Sequence, residues 1–188
     1  MRITGGKNKG RILASPRNLR IRPTSDQVRE ALFNILGHDL TGHRVLDLFA
    51  GTGSLGLEAL SRGAEKVVFV DHTGVALGLI RKNLERCGFT GSGIVLKWDL
   101  TRGIGRHGRL RGQFFDLVFL DPPYGKNMIT PLLQELSTTA MLSPGARVVA
   151  ESSKSDGLPS VAENLKQIDH RIYGDTQVSL YGLRRKNE

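Results

Sequence analysis

The chain of 188 residues has one cysteine, Cys87, so no intrachain disulfide can form. Its N-terminus, MRITGGKNKGR, has no apolar core of the kind a secretory signal needs, and the two features together imply a reducing, cytoplasmic setting. No stretch approaches about 18 uninterrupted apolar residues, so no membrane-spanning helix is expected. The five histidines, His38, His43, His72, His107 and His170, show no ligand spacing, and no metal is expected. Acidic residues are missing from the first 25 positions. Arg2, Lys7, Lys9, Arg11, Arg17, Arg20 and Arg22 all precede Asp26, whereas 20 basic and 18 acidic residues nearly cancel from there on. The net charge of +9 therefore belongs mainly to the N-terminal segment, and clustered cations of this kind fit a polyanion, most simply nucleic acid.

What is present suits one α/β domain, long enough to bury about 70% of its unfolded surface. A monomer is expected. Residues 1–22 place short apolar pieces around GGKNKG and are expected to form a basic hairpin arm that adds little to the core, so that a truncation of residues 1–20 would leave the fold intact. Residues 23–188 form the second part. PTSDQVREALFNILG opens a helix: Thr24 and Gln27 fit a capping box, Val28, Ala31, Leu32, Ile35 and Leu36 form one apolar stripe, and Gly37 ends it. From residue 44, apolar strands alternate with amphipathic segments (RVLDLF, LGLEALSRG, KVVFVD, VALGLIRKNLERCG, GIVLKWD, FFDLVFLD, MITPLLQELSTTAML, ARVVAES), the pattern of a parallel sheet covered by helices. HRIYGDTQVSLYGL reads as two antiparallel strands joined at Gly174-Asp175.

Two strand ends carry chemistry. DLFAGTGSLG spells G-x-G-x-x-G with Gly51, Gly53 and Gly56, and Asp71 ends the next strand at a spacing that would also suit a nicotinamide site. A P-loop fails because Leu57 follows Gly56 where a lysine belongs, and the nucleophile elbow fails at Thr52. Asp47, four residues before Gly51, favours a cationic ligand over a pyrophosphate, which points to S-adenosylmethionine. In that reading Phe49, Gly51, Thr52 and Gly53 approach the amino-acid end, Asp71 accepts from the ribose hydroxyls, and Asp99 reads the adenine amine unless it merely caps a helix. Trp98 reads as core. Cys87, at the end of an amphipathic helix, reads as a buried structural thiol.

The second end is FFDLVFLDPPYGKN. Pro122 and Pro123 have no backbone N–H, stop the strand, and fix Asp121 at its tip, so the local groups are mostly acceptors. Tyr124 adds a flat face on which a base could stack. Acceptors beside a stacking platform suit a planar substrate that bears an NH2 group. A further stretch, TRGIGRHGRLRG, sets Arg102, Arg106, Arg109 and Arg111 among glycines.

With MRITGGKNKGR, RPTSDQVREALFNIL, DLFAGTGSLGLEALSRGA and LDPPY in order over nearly the whole length, the chain closely resembles the RsmD family of bacterial ribosomal RNA methyltransferases. The resemblance implies a class I S-adenosylmethionine-dependent, Rossmann-like methyltransferase fold, with a mostly parallel seven-stranded sheet that ends in an antiparallel hairpin. It also implies methyl transfer to the exocyclic N2 of a guanine in 16S RNA, naked or in a small-subunit particle. On this resemblance Asp47, Gly51 and Gly53 belong to the cofactor motif, Asp71 is the ribose acid, and Asp121, Pro122, Pro123 and Tyr124 are catalytic. DPPY alone looks equally like amino-methylating enzymes that act on DNA adenine N6 or, with Asn first, on protein glutamine. A nicotinamide-dependent oxidoreductase and a non-catalytic RNA-binding module are the competing classes, and both leave DPPY unexplained. The Gly/Arg stretch 101–112 departs from the family pattern.

Overall fold

The computed structural model describes residues 1–16, 26–105 and 108–183. Two compact units make up the chain, Met1–Lys97 and Trp98–Glu188.

In the first unit, α1 (Asp26–Leu36) precedes β1 (Arg44–Leu48), α2 (Ser54–Ser61), β2 (Lys66–Asp71), α3 (Gly74–Cys87) and β3 (Gly93–Lys97). β2 pairs in parallel with β1 on one side and with β3 on the other, in register Asp47 to Phe69 and Asp71 to Lys97. Apart from its first residue each of β1 and β2 is buried throughout, which is why both read as continuous apolar runs rather than alternating ones. α2 lies on β1 and β2, and α3 on β2 and β3. Thr73 caps α3 by accepting from the Ala76 amide, and Gly88 ends it in a left-handed turn. Thr24, the expected cap of α1, lies outside the described residues. The buried face of α1 is Val28, Arg29, Leu32, Phe33 and Leu36. Arg29 and Phe33 thus replace Ala31 and Ile35 of the expected stripe, because Arg29 has a buried partner in Glu58 at 3.4 Å.

The N-terminal segment forms hairpin-like pairing: an antiparallel bridge joins Arg2 to Ile12, Ile3 donates to the Arg11 carbonyl, Gly10 donates to the Ile3 carbonyl, and a 3-10 turn, Gly6–Asn8, makes the tip. The expectation that it adds little to the core is corrected. Ile3 and Leu13 are buried, Thr4 donates through both N–H and hydroxyl to Glu58 at 2.8 Å each, and Asn8 bonds the Ser61 hydroxyl and the Cys87 carbonyl. Polar groups of α2 and α3 would lose these partners if the segment were removed.

The second unit contains β4 (Phe115–Leu120), α4 (Ile129–Thr138), β5 (Leu142–Ser153), β6 (Val161–Ala162), β7 (Leu165–Tyr173) and β8 (Thr176–Leu183). β4 and β5 are parallel; β8 runs antiparallel to β5, β7 to β8, and β6 to β7. The strands among the described residues therefore number eight where seven were expected, because the two-residue β6 pairs with the start of β7. The hairpin turns at Gly174-Asp175 as expected, with Tyr173 opposite Thr176. α4 is shorter than its apolar pattern: Thr139 is already extended, and Ala140 and Met141 lead into β5. Pro131 is tolerated because it sits in the first turn, where its missing N–H has no partner to lose. Trp98 is only half-buried, which corrects its expected place in the core. No helix among the described residues is long and apolar enough to cross a membrane.

Candidate active site

The loop after β1 is shaped by three consecutive demands. Phe49 adopts φ +62°, Gly51 +56° and Gly53 +80°. Glycine accepts such backbone freely, but a phenylalanine held there costs about 1–3 kcal/mol and marks a conformation imposed by its surroundings. The surroundings are visible. Ala50 donates to the Val70 carbonyl at 3.1 Å, Gly51 donates to Asp71 Oδ2 at 3.1 Å, and Gly53 donates back to the Ala50 carbonyl at 2.7 Å. A Cβ on Gly56 would lie 2.3 Å from Phe69 Cε1, so the third glycine of the motif lets α2 approach β2.

Asp47 is buried, with Oδ2 accepting from the Gly56 amide at 2.9 Å, and burial first, then the Asp71 charge, pushes its carboxyl up to about 7. Its influence on a ligand is consequently electrostatic and runs through the loop, not by contact. Asp71 is 8% exposed at the C-terminal end of β2. Besides Gly51, it accepts at Oδ1 from the Thr73 amide and hydroxyl, which ties the glycine loop to the start of α3. Above Gly51 there is space: a Cβ there would meet nothing nearer than the Phe49 carbonyl oxygen at 3.8 Å. An open backbone loop beside a carboxylate at a strand end fits the amino-acid and ribose parts of S-adenosylmethionine. The residue that sequence reasoning missed is Asn83. Fully buried on α3, it donates to the carbonyls of Ala14 (3.0 Å) and Thr52 (2.9 Å) and accepts from the Ala14 amide (2.7 Å). One side chain thereby clamps the N-terminal segment and the glycine loop together. A polar residue on the buried face of an otherwise apolar helix was the available signal.

In the second unit, Asp99 is the N-cap of a 3-10 turn, Leu100–Arg102, with Oδ1 accepting from the Thr101 amide and hydroxyl. Asp121 follows the last residue of β4 and is half-buried; Pro122 is buried and Pro123 exposed. Tyr124 is 45% exposed, and its hydroxyl lies 3.0 Å from Thr176 Oγ1 at the start of β8. The hydroxyl is therefore held while the residue stays about half-exposed. Beside it is a cavity of about 240 Å³ whose wall includes Pro122, Pro123, Tyr124, Lys126, Glu151 and Ser152. A flat ring system fits such a space, which is apolar at the prolines and polar at the end of β5.

Of the expected RNA-contact residues, Arg2, Lys7, Lys9 and Arg11 are exposed. Arg2 pairs with Asp26 at 3.7 Å, and Lys7 lies over the Phe89 ring at 4.6 Å. Arg17, Arg20 and Arg22 lie outside the described residues. Cys87 is buried, and burial raises its thiol.

The alternating α/β units, the glycine loop and the DPPY-bearing strand end define a Rossmann-like methyltransferase fold, and comparison with known proteins agrees. The solved structure of Escherichia coli yhhF superposes with a TM-score of 0.83 at 32% identity, covering 98% of each chain. Bacillus subtilis YlbH is 37% identical over 98% of this chain and all of its own length. Ribosomal RNA small subunit methyltransferase D of Escherichia coli is 32% identical over 96% of this chain and 89% of its own. The family model described as Conserved hypothetical protein 95 matches residues 1–182. The chain belongs to this family, the RsmD family that its motifs resemble.

Proposed function

We propose that the protein transfers a methyl group from S-adenosylmethionine to the exocyclic N2 of a guanine in 16S ribosomal RNA, in the cytoplasm. The observation that carries this reading is the end of β4: Asp121 leads into two prolines and a half-exposed Tyr124 that is held by Thr176 beside a base-sized cavity. The family and the E. coli relative's name favour the small-subunit RNA. When bound, S-adenosylmethionine supplies an electrophilic methyl on a positively charged sulfur.

The chain's own work is positioning. A guanine N2 amine is a poor nucleophile because its lone pair is conjugated with the ring. Hydrogen bonds from the NH2 group to the Asp121 carboxylate and the Pro122 carbonyl would hold the lone pair out of the ring plane, at the 3–3.5 Å approach that methyl transfer needs. As nitrogen gains positive charge, Asp121 opposes it without any covalent enzyme intermediate. Tyr124 stacks on the base for about 1–3 kcal/mol and offsets the few kcal/mol that unstacking costs. Asp71 and the open face of the glycine loop above Gly51 hold the cofactor.

Incubation with isotope-labelled S-adenosylmethionine and either naked 16S RNA or small-subunit particles, followed by nucleoside mass spectrometry, should reveal N2-methylguanosine. Asp121→Asn should lower the single-turnover rate by at least about 100-fold while S-adenosylhomocysteine affinity stays within a few-fold. Near-normal turnover in that variant sinks the assigned role, and N6-methyladenine formed on duplex DNA would replace the RNA substrate.

A further inference from the structure

Residues 98–112 carry four arginines and one acid, and no role in methyl transfer accounts for them. Such glycine- and arginine-rich composition suggests a solvated, unstructured loop. The described part of it is built otherwise. Glu135 on α4 reaches across with both carboxylate oxygens, accepting from the Ile104 amide at 2.9 Å and the Gly105 amide at 2.7 Å. The Trp98 indole donates to the Gly103 carbonyl at 2.7 Å. Ile104 and Leu110 are buried as apolar anchors. Between and beside these anchors, Arg102, Arg109 and Arg111 are exposed. The Arg102 guanidinium lies over the Trp98 ring at 5.0 Å, an arrangement that covers one of its faces while the residue stays exposed. Just beyond Arg111, Phe114 is 49% exposed.

We propose that this anchored loop is a second nucleic-acid contact that grips the phosphodiester backbone of RNA. Planar guanidinium forks match phosphate oxygens, and a stacked arginine loses little further freedom when it binds. Anchoring by Glu135, Trp98, Ile104 and Leu110 means that the ordering cost of the loop is met in folding and not in binding. An exposed phenyl ring three residues beyond Arg111 favours RNA with an unpaired base to stack over an acidic protein surface. The proposal goes beyond methyl transfer. Its test reads binding, not turnover, so an error in the target base leaves it standing.

The single tryptophan of the chain is the reporter. Titration of the full chain with a fluorescein-labelled RNA hairpin of mixed sequence should change Trp98 emission, with a midpoint equal to that from anisotropy. Replacing Arg102, Arg109 and Arg111 together by glutamine should weaken RNA binding about 100-fold at 0.1 M salt. It should also reduce the slope of log K against log salt by about 2, at 0.7–0.9 per cation lost, while S-adenosylhomocysteine affinity is unchanged. If the triple variant fails to fold, Arg111→Gln alone should still lower the slope by about 0.7–0.9. An unchanged slope in a folded variant overturns the proposal. So does tighter binding of a polyglutamate peptide than of RNA of equal charge at Trp98, which would identify an acidic polypeptide as the occupant.

Discussion

Asp47→Asn isolates the buried carboxyl beneath the glycine loop. The folded protein holds this proton up to about pH 7, whereas an unfolded aspartate releases it near its ordinary 3.8. Between those limits the folded state binds the extra proton, so the group's contribution to stability is full below about pH 4, declines as pH rises, and is lost above about 7. At ~1.36 kcal/mol per pH unit the full effect is about 4 kcal/mol, and the part between pH 5 and pH 8 is about 3 kcal/mol. Asparagine cannot titrate, yet its Oδ1 can still accept from the Gly56 amide. Its buried NH2 group costs something, but equally at every pH. The observable is therefore the pH dependence of the difference between the two proteins. Urea unfolding at pH 5, 6.5 and 8 should show the variant gaining on the parent by about 3 kcal/mol over that range, a relative midpoint shift of roughly 1 M or more for a slope near 2 kcal/mol/M. Parallel stability curves would refute the reasoning. Above pH 7 the ionised form is the one that favours a cationic ligand, so stability and cofactor binding pull this carboxyl in opposite directions.

Glu58→Gln removes the negative charge between Arg29 and Arg62, both buried, and should destabilise the protein by about 3–5 kcal/mol, seen as a melting point lower by about 10 °C; a loss under 1 kcal/mol would show the cluster to be screened. Asn83→Ala leaves Ala14 and Thr52 backbone groups unpaired at about 1–3 kcal/mol each and should weaken S-adenosylhomocysteine binding in calorimetry, because the Thr52 carbonyl is no longer held. Unchanged affinity would confine Asn83 to stability. Joint replacement of Lys7, Lys9 and Arg11 by glutamine should lower the salt slope of RNA binding by about 2 with the fold intact, and an unchanged slope would remove the N-terminal segment from the RNA surface.

Where a strand is buried on both faces, as in β1, β2 and β4, the apolar run is the structure, and its ends could be read to within a residue or two. The hairpin turn at Gly174-Asp175 was equally plain, because two-residue turns restrict what can occupy them. β6 carried no signal: two residues have no periodicity. α4 was read too long because its apolar pattern runs without a break into Met141 and Leu142, which belong to the strand that follows. Gly51 and Gly53 take left-handed backbone in the loop after β1 and Asp71 ends β2, because a strand–loop–helix unit leaves little freedom in that turn. Asp99 displays the capping geometry that was its alternative.

The N-terminal segment was the hardest to read, for a physical reason that also dictates how it must be tested. Its seven cations and few apolar residues look like an appended arm, because composition weighs every residue alike. Docking depends on a few positions instead. Ile3 and Leu13 are buried, Thr4 meets Glu58, and the Arg2 carbonyl accepts from Arg29, while Lys7, Lys9 and Arg11 stay outside. Charge and anchorage are thus carried by different residues of the same short stretch. A truncation removes both and would strip Glu58, Asn83 and Arg29 of partners they have in that segment, so a resulting loss of RNA binding could not be told from a loss of fold. Neutralising the exposed cations alone keeps the anchors. Arg2 must be left in place, because its side chain pairs with Asp26, which also holds Arg29 at 2.8 Å.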